Sequence, residues 1–245
     1  MATGRRTENC SPTRSVLLAT RRLYTCVLRC CHDGSRGACH ADGPRPVNGS
    51  EACRLFELRS GPTDDLAGQA DAVAAACHAM AVRFHGGGKL VVFGAGAAST
   101  DAQHVAVEFV HPVIVGKRAL PAISLTTDVA TVTGIAERDG VAAIFAHQIR
   151  YLADPADIAL GIAADGDNPC VAAGLETARE LGLLTVALVG GNGSRPDKVA
   201  DHVLVAGSSD PRVVKEMHVT LYHVLWELVH VFFEQPGVLG PGVVA

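Results

Sequence analysis

From Asp64 to Phe84 the apolar residues Leu66, Ala70, Val73, Cys77 and Met80 recur at intervals of four and three, which is the period of a helix. His85-Gly86-Gly87-Gly88 ends that pattern, and the next apolar positions are contiguous. Lys89 to Phe93 is a short run with two β-branched residues, followed directly by Gly94-Ala95-Gly96-Ala97-Ala98-Ser99-Thr100, so strand, glycine-bearing loop and helix are predicted in that order. The same unit recurs. Pro121 to Leu125 leads through Thr126-Thr127-Asp128 to a helix reaching Ala136, and Asp157 to Ala163 leads through Asp165-Gly166-Asp167-Asn168-Pro169 to a helix reaching Leu181. Leu184 to Val189 runs into Gly190-Gly191-Asn192-Gly193, and His202 to Ala206 is a fifth strand. Strands that alternate with helices and read as buried on both faces predict an α/β fold, a five-stranded parallel sheet flanked by helices.

The last helix, from Pro211 to Phe233, is apolar around nearly its whole circumference, at Val219, Leu221, Val224, Leu225, Trp226, Leu228, Val229 and Phe232. Such a helix needs cover on every side. Glu216, His223, Glu227 and His230 keep it from being a membrane span, so it is expected in a helix-packed interface between subunits of an oligomer.

Composition separates the amino end from the rest. The first 53 residues carry eight Arg, no Lys, four acids and six of the eight cysteines, a net +4, whereas the remainder, with 13 basic and 21 acidic residues, is net −8. Arg14, Arg21, Arg22 and Arg29 interrupt the one apolar stretch of this segment, which fits neither a signal peptide nor a transmembrane helix. Cys26, Cys30, Cys31, Cys39, His32 and His40 can be drawn as a zinc or disulfide cluster, but their spacing matches no paired C-x-x-C pattern. Residues 1–53 are expected to be a disordered extension, or sequence upstream of the native start, preceding one domain over 54–236 and a short tail at 237–245. In that domain Cys77 and Cys170 are the only cysteines, which suits a reducing cytoplasm. Its acidic balance offers no general basic surface for nucleic acid, so any phosphate must be held by backbone amides or single cations.

Loops at the carboxyl ends of parallel strands are where open α/β sheets bind ligands, and the following helix N-termini favour phosphate. Gly94-x-Gly96 fits that place, but it lacks the third glycine of a dinucleotide fingerprint, and no Walker-type Gly-Lys-Ser/Thr follows. A sugar phosphate is favoured over a dinucleotide. His104 and Glu108, four residues apart on the helix after the loop, share one face, as a metal site or a proton-transfer pair requires. An ordinary buried histidine beside a solvated glutamate has the same spacing. On the last helix His223 stands eight residues after Lys215 and seven after Glu216, so these three also lie near one face. An interface histidine satisfied by a carboxylate would look the same.

The run Phe93-Gly94-x-Gly96-x-x-x-x-Asp101-Ala102-Gln103-His104-x-x-x-Glu108, followed by Leu120-Pro121-Ala122-Ile123-x-Leu125-Thr126-Thr127-Asp128, resembles the phosphoheptose isomerases of the sugar isomerase (SIS) type. So do Phe145-Ala146-x-Gln148, Ala178-Arg179-Glu180-Leu181-Gly182, and Glu216-x-His218 with His223, in order over about residues 60 to 233. The resemblance implies a flavodoxin-like SIS domain, a homotetramer with active sites between subunits, and an aldose–ketose isomerisation of sedoheptulose 7-phosphate or a related phosphosugar. By the same resemblance Glu108 is the base, His223 the acid/base, and His104, Glu108 and His223 match a zinc site. The substrate side falls on Gly94, Gly96, Ser99, Asp128, Arg138, Asn168 and Lys215.

The departures concern that substrate side. Ala95, Ala97 and Ala98 stand where the family has Asn and Gly-Ser, and Ala163-Ala164-Asp165-Gly166-Asp167-Asn168 replaces its Ser-Thr-Ser-Gly-Asn-Ser phosphate loop. Asp165 and Asp167 would repel a dianion. Glu137-Arg138 replaces an Asn-Asp pair, and Lys215 replaces a Gln that binds metal and substrate. Lys215 can replace lost donors or exclude the metal. Two readings therefore stay open: an isomerase with altered specificity, and a non-catalytic SIS-domain protein that binds phosphosugar or serves assembly or regulation. A nucleotide-binding dehydrogenase is a distant third.

Overall fold

The computed structural model describes residues 49–164, 168–191, 200–235 and 237–239. The segment 1–48, with the whole Cys26, Cys30, Cys31, Cys39, His32 and His40 set, and the aspartate pair at 165 and 167 lie outside the described residues. Three helices lead in: α1 (Gly49–Glu57), α2 (Ser60–Ala67) and α3 (Ala70–His85). Then come β1 (Leu90–Gly94), α4 (Ala98–Val110), β2 (Ala122–Ser124), α5 (Val129–Asp139), a 3₁₀ turn at Val141–Ala143 and α6 (Ile144–Leu152). The chain continues through β3 (Ile158–Ala163), α7 (Pro169–Glu180), β4 (Leu184–Gly190), β5 (His202–Ala206) and α8 (Pro211–Glu234).

The five strands form one parallel sheet in the order β2-β1-β3-β4-β5. Successive strand residues point to opposite faces, so each strand feeds two cores. Leu90, Val92, Leu160, Ile162, Val186 and Leu188 pack under α3, α4 and α8. Val91, Phe93, Ala159, Ala163, Ala187 and Val189 pack under α5, α6 and α7. The central strands are buried throughout, as expected, whereas the edge strands β2 and β5 are only partly so.

Local chemistry explains the helix starts. Asp128 caps α5 by accepting from the Ala130 and Thr131 amides, and Asn168 and Asp210 cap α7 and α8, each followed by proline at the first helical position. The single helix expected over Asp64 to Phe84 is divided between α2 and α3. The break serves the sheet. Gln69 leaves the helix to pair with Val205 on the open edge of β5, its Nε2 donating to the Val205 carbonyl at 2.8 Å and its Oε1 accepting from the Val205 amide at 3.0 Å. α1 crosses the expected boundary at residue 54.

Candidate active site

The β1–α4 junction is built around two glycines. A Cβ on Gly94 would stand 2.8 Å from the Ala98 carbonyl oxygen and 2.9 Å from that of Ile162, and Gly96 turns with φ +60°. The chain can thus fold back tightly and start α4 over the end of β1. No side chain caps α4 at Ala97; Ser99 and Thr100 hydroxyls donate back to the Gly96 and Ala97 carbonyls. Beside this loop lies a cavity of about 310 Å³ lined by Gly94, Ala95, Gly96, Ser99, Phe145 and Cys170, among others.

One turn further along α4, His104 and Glu108 face α8. His104 Nε2 is 3.2 Å from Glu108 Oε1, and its Nδ1 is 2.9 Å from the Tyr222 hydroxyl. The His223 ring lies edge-on to His104 with centroids 5.2 Å apart. One donor atom from each of His104, Glu108 and His223 lies within 4.8 Å of the others. Residues 115 positions apart are joined because Trp226 Nε1–H donates to the Glu108 carbonyl at 2.9 Å, locking the two helices. Glu108 is buried; burial, then the charges of Asp101 and Glu108, hold the Tyr222 phenol well above its ordinary range.

Lys215 does not point its ammonium at this cluster. Its Nζ is 2.8 Å from both oxygens of buried Asp101 and also donates to the Ala97 carbonyl and the Thr100 hydroxyl, pinning α8 to the first turn of α4. The other sequence-derived positions are spread further. Asp128 and Asn168 are occupied as helix caps, with the Asp128 carboxyl held low first by the Thr131 hydroxyl. Arg138 pairs with its neighbour Asp139, and Glu216 with Arg59. The lining of the 310 Å³ cavity includes Gly94, Gly96 and Ser99 but none of the three clustered donors. Asp101 and Tyr222 join the site without being marked by the sequence pattern as site residues. Asp101 carried a signal as part of the quoted motif; Tyr222 carried none beyond its place next to His223.

A parallel sheet with a glycine turn over β1 and a His–Glu–His cluster between the next helix and the last defines a SIS-type domain, and a family model for the SIS domain matches residues 63–190. The phosphoheptose isomerase of Solidesulfovibrio magneticus is 40% identical over 173 residues, 70% of this chain and 84% of that protein. That of Aquifex aeolicus is 38% identical over 150 residues, 61% and 78% of the two chains. A solved phosphoheptose isomerase from Francisella tularensis superposes with TM-score 0.70 at 30% identity, covering 74% of this chain and 97% of the other. The chain belongs to the phosphoheptose isomerase family of SIS-domain proteins.

Proposed function

We propose that this protein is a sugar-phosphate aldose–ketose isomerase of the phosphoheptose isomerase type, acting on sedoheptulose 7-phosphate or a related phosphosugar. The observation that carries the reading is the approach of His104, Glu108 and His223 donors to within 4.8 Å of one another, on elements distant in sequence. In this reading Glu108 takes the proton from the carbon next to the carbonyl and returns it to the former carbonyl carbon, while His223 gives and recovers a proton at the oxygens. Reactant and product differ only in where those protons sit, so no external oxidant or reductant is needed. The phosphate is held at the Gly94-x-Gly96 turn beside Ser99, which line one cavity; Arg138, Lys215, Asp128 and Asn168 would have to leave their present partners to reach the substrate.

Two imidazoles and a carboxylate are the donor set of a catalytic zinc site, and tetrahedral zinc at its usual bond lengths separates its donors by about 3.3–3.5 Å, within small side-chain adjustments of this spacing. The residues fit zinc. His104, Glu108 and His223 would hold it, and when bound it polarises substrate oxygens. Lys215 is spent on Asp101 and is not counted as a ligand. Free, buried Cys77 and Cys170 support a cytoplasmic setting, and no helix among the described residues is long and apolar enough to cross a membrane. A homotetramer is the assembly proposed.

Incubation with sedoheptulose 7-phosphate in deuterated water tests the reading: deuterium should enter the carbon next to the carbonyl. Glu108→Gln should slow that exchange by about 10²–10⁴-fold while leaving phosphosugar binding within about threefold. Equal exchange in the two proteins would remove Glu108 as base, and binding without any exchange in the wild type would favour the non-catalytic reading.

A further inference from the structure

Tyr222 precedes His223 on α8 and is 2% exposed. Among the described residues its hydroxyl has one hydrogen-bond partner, His104 Nδ1 at 2.9 Å. The opposite nitrogen of the same ring is the one that faces Glu108, at 3.2 Å. Where Glu108 accepts from Nε2–H, a neutral imidazole presents a lone pair at Nδ1 and the phenol donates into it. A phenol can also turn and accept from Nδ1–H, which is the form His104 needs when its Nε2 lone pair is given to a metal. The Tyr222 ring adds a wall: it stands edge-on to His104 at 5.3 Å and lies 4.9 Å from His223. Phenylalanine would keep the wall and serve neither tautomer.

We infer that Tyr222 is the positioning residue of this site: its hydroxyl holds the plane of the His104 ring through Nδ1, and through that ring the hydrogen bond that orients Glu108. The inference rests on the reading of Glu108 as the base. A tyrosine that merely fills the core would affect stability but not the hydrogen bonding of His104 Nδ1.

The full chain, freed of metal by chelation and labelled with ¹⁵N-histidine, is compared as wild type and Tyr222→Phe by multiple-bond ¹H–¹⁵N spectra, with His104→Gln supplying the assignment. Wild-type His104 Nδ1 should show the ¹⁵N shift of a hydrogen-bonded ring nitrogen, and Tyr222→Phe should move that resonance to the value of an unbonded one. In the deuterium-exchange assay Tyr222→Phe should lower kcat about 10–100-fold with KM within about twofold, and His104→Gln/Tyr222→Phe should be no slower than His104→Gln alone. An Nδ1 resonance unchanged in Tyr222→Phe, or multiplicative losses in the double variant, would each overturn the inference. Because the ring resonance is read without turnover, failure of Glu108 as base in the exchange assay would leave this result independently decided.

Discussion

His218 projects into the core from α8, 2% exposed, and its Nε2 has no hydrogen-bond partner among the described residues. Burial lowers its pKa from histidine's ordinary value, the Val189 carbonyl and Asp101 opposing and Lys215 adding to the shift. The folded chain therefore binds this proton less readily than the unfolded chain. The associated stability is complete above about pH 6.5 and is lost as pH falls toward the lowered folded value. His218→Leu should accordingly flatten the decline in Tm between about pH 7 and pH 5; parallel curves for the two proteins would show that the neutral imidazole contributes nothing to the acid limb. Lys215 poses the opposite case. Its removal takes from the Asp101 carboxylate, 5% exposed, the ammonium that both its oxygens accept from. Lys215→Met is expected to cost about 1–3 kcal/mol in urea unfolding. Adding Asp101→Asn should recover part of that loss, and a purely additive pair would mean the ion pair is not the source.

Among the elements, the β1–α4 turn leaves little room beside the candidate site. The atoms that a Cβ on Gly94 would meet are backbone carbonyls of Ala98 and Ile162, which cannot step aside as a flexible side chain would. Gly94→Ala should destabilise the fold by about 1–3 kcal/mol and lower phosphosugar affinity with it; retention of both in thermal and binding assays would mean the turn is looser than its contacts. That junction was readable from the sequence because strand, glycines and helix are contiguous and local rules govern them. So was the sharing of one helix face by His104 and Glu108, and the carboxyl-terminal strand and helix, bounded by Gly, Asp and Pro. Contacts across the chain were not readable. Gln69 reads as one more helical residue until the open edge of β5 is present to claim its amide. Tyr222 pairs with His104 across 118 positions, and no periodicity links the two.

On the scale of the whole molecule, the apolar circumference of α8 is divided differently from the sequence expectation. Trp226 is 4% exposed and bonded to the Glu108 carbonyl, so its own chain covers that side; the cover expected from another subunit is not needed there. The side left uncovered carries Val224, in an apolar groove of about 280 Å³ with Leu66, Ala70, Val73, Leu221 and Leu228. α1 buries no residue and exposes Leu55 and Phe56. Apolar surface of this kind, on a helix and beside a groove, is what a symmetric assembly would bury, as the proposed oligomer requires. The two faces of α8 therefore predict different outcomes for the same change of residue type. Val224→Glu should yield smaller species by light scattering with the circular dichroism of the wild type retained, because it charges a surface that only assembly would dehydrate. Trp226→Glu should instead unfold the chain, because it puts a carboxylate into the core and removes the donor that joins α4 to α8. Deleting residues 1–48, which stops short of α1, should leave the assembly intact. A wild type that is monomeric at micromolar concentration would sink the tetramer, and a Val224→Glu protein of unchanged size would move the interface to another face.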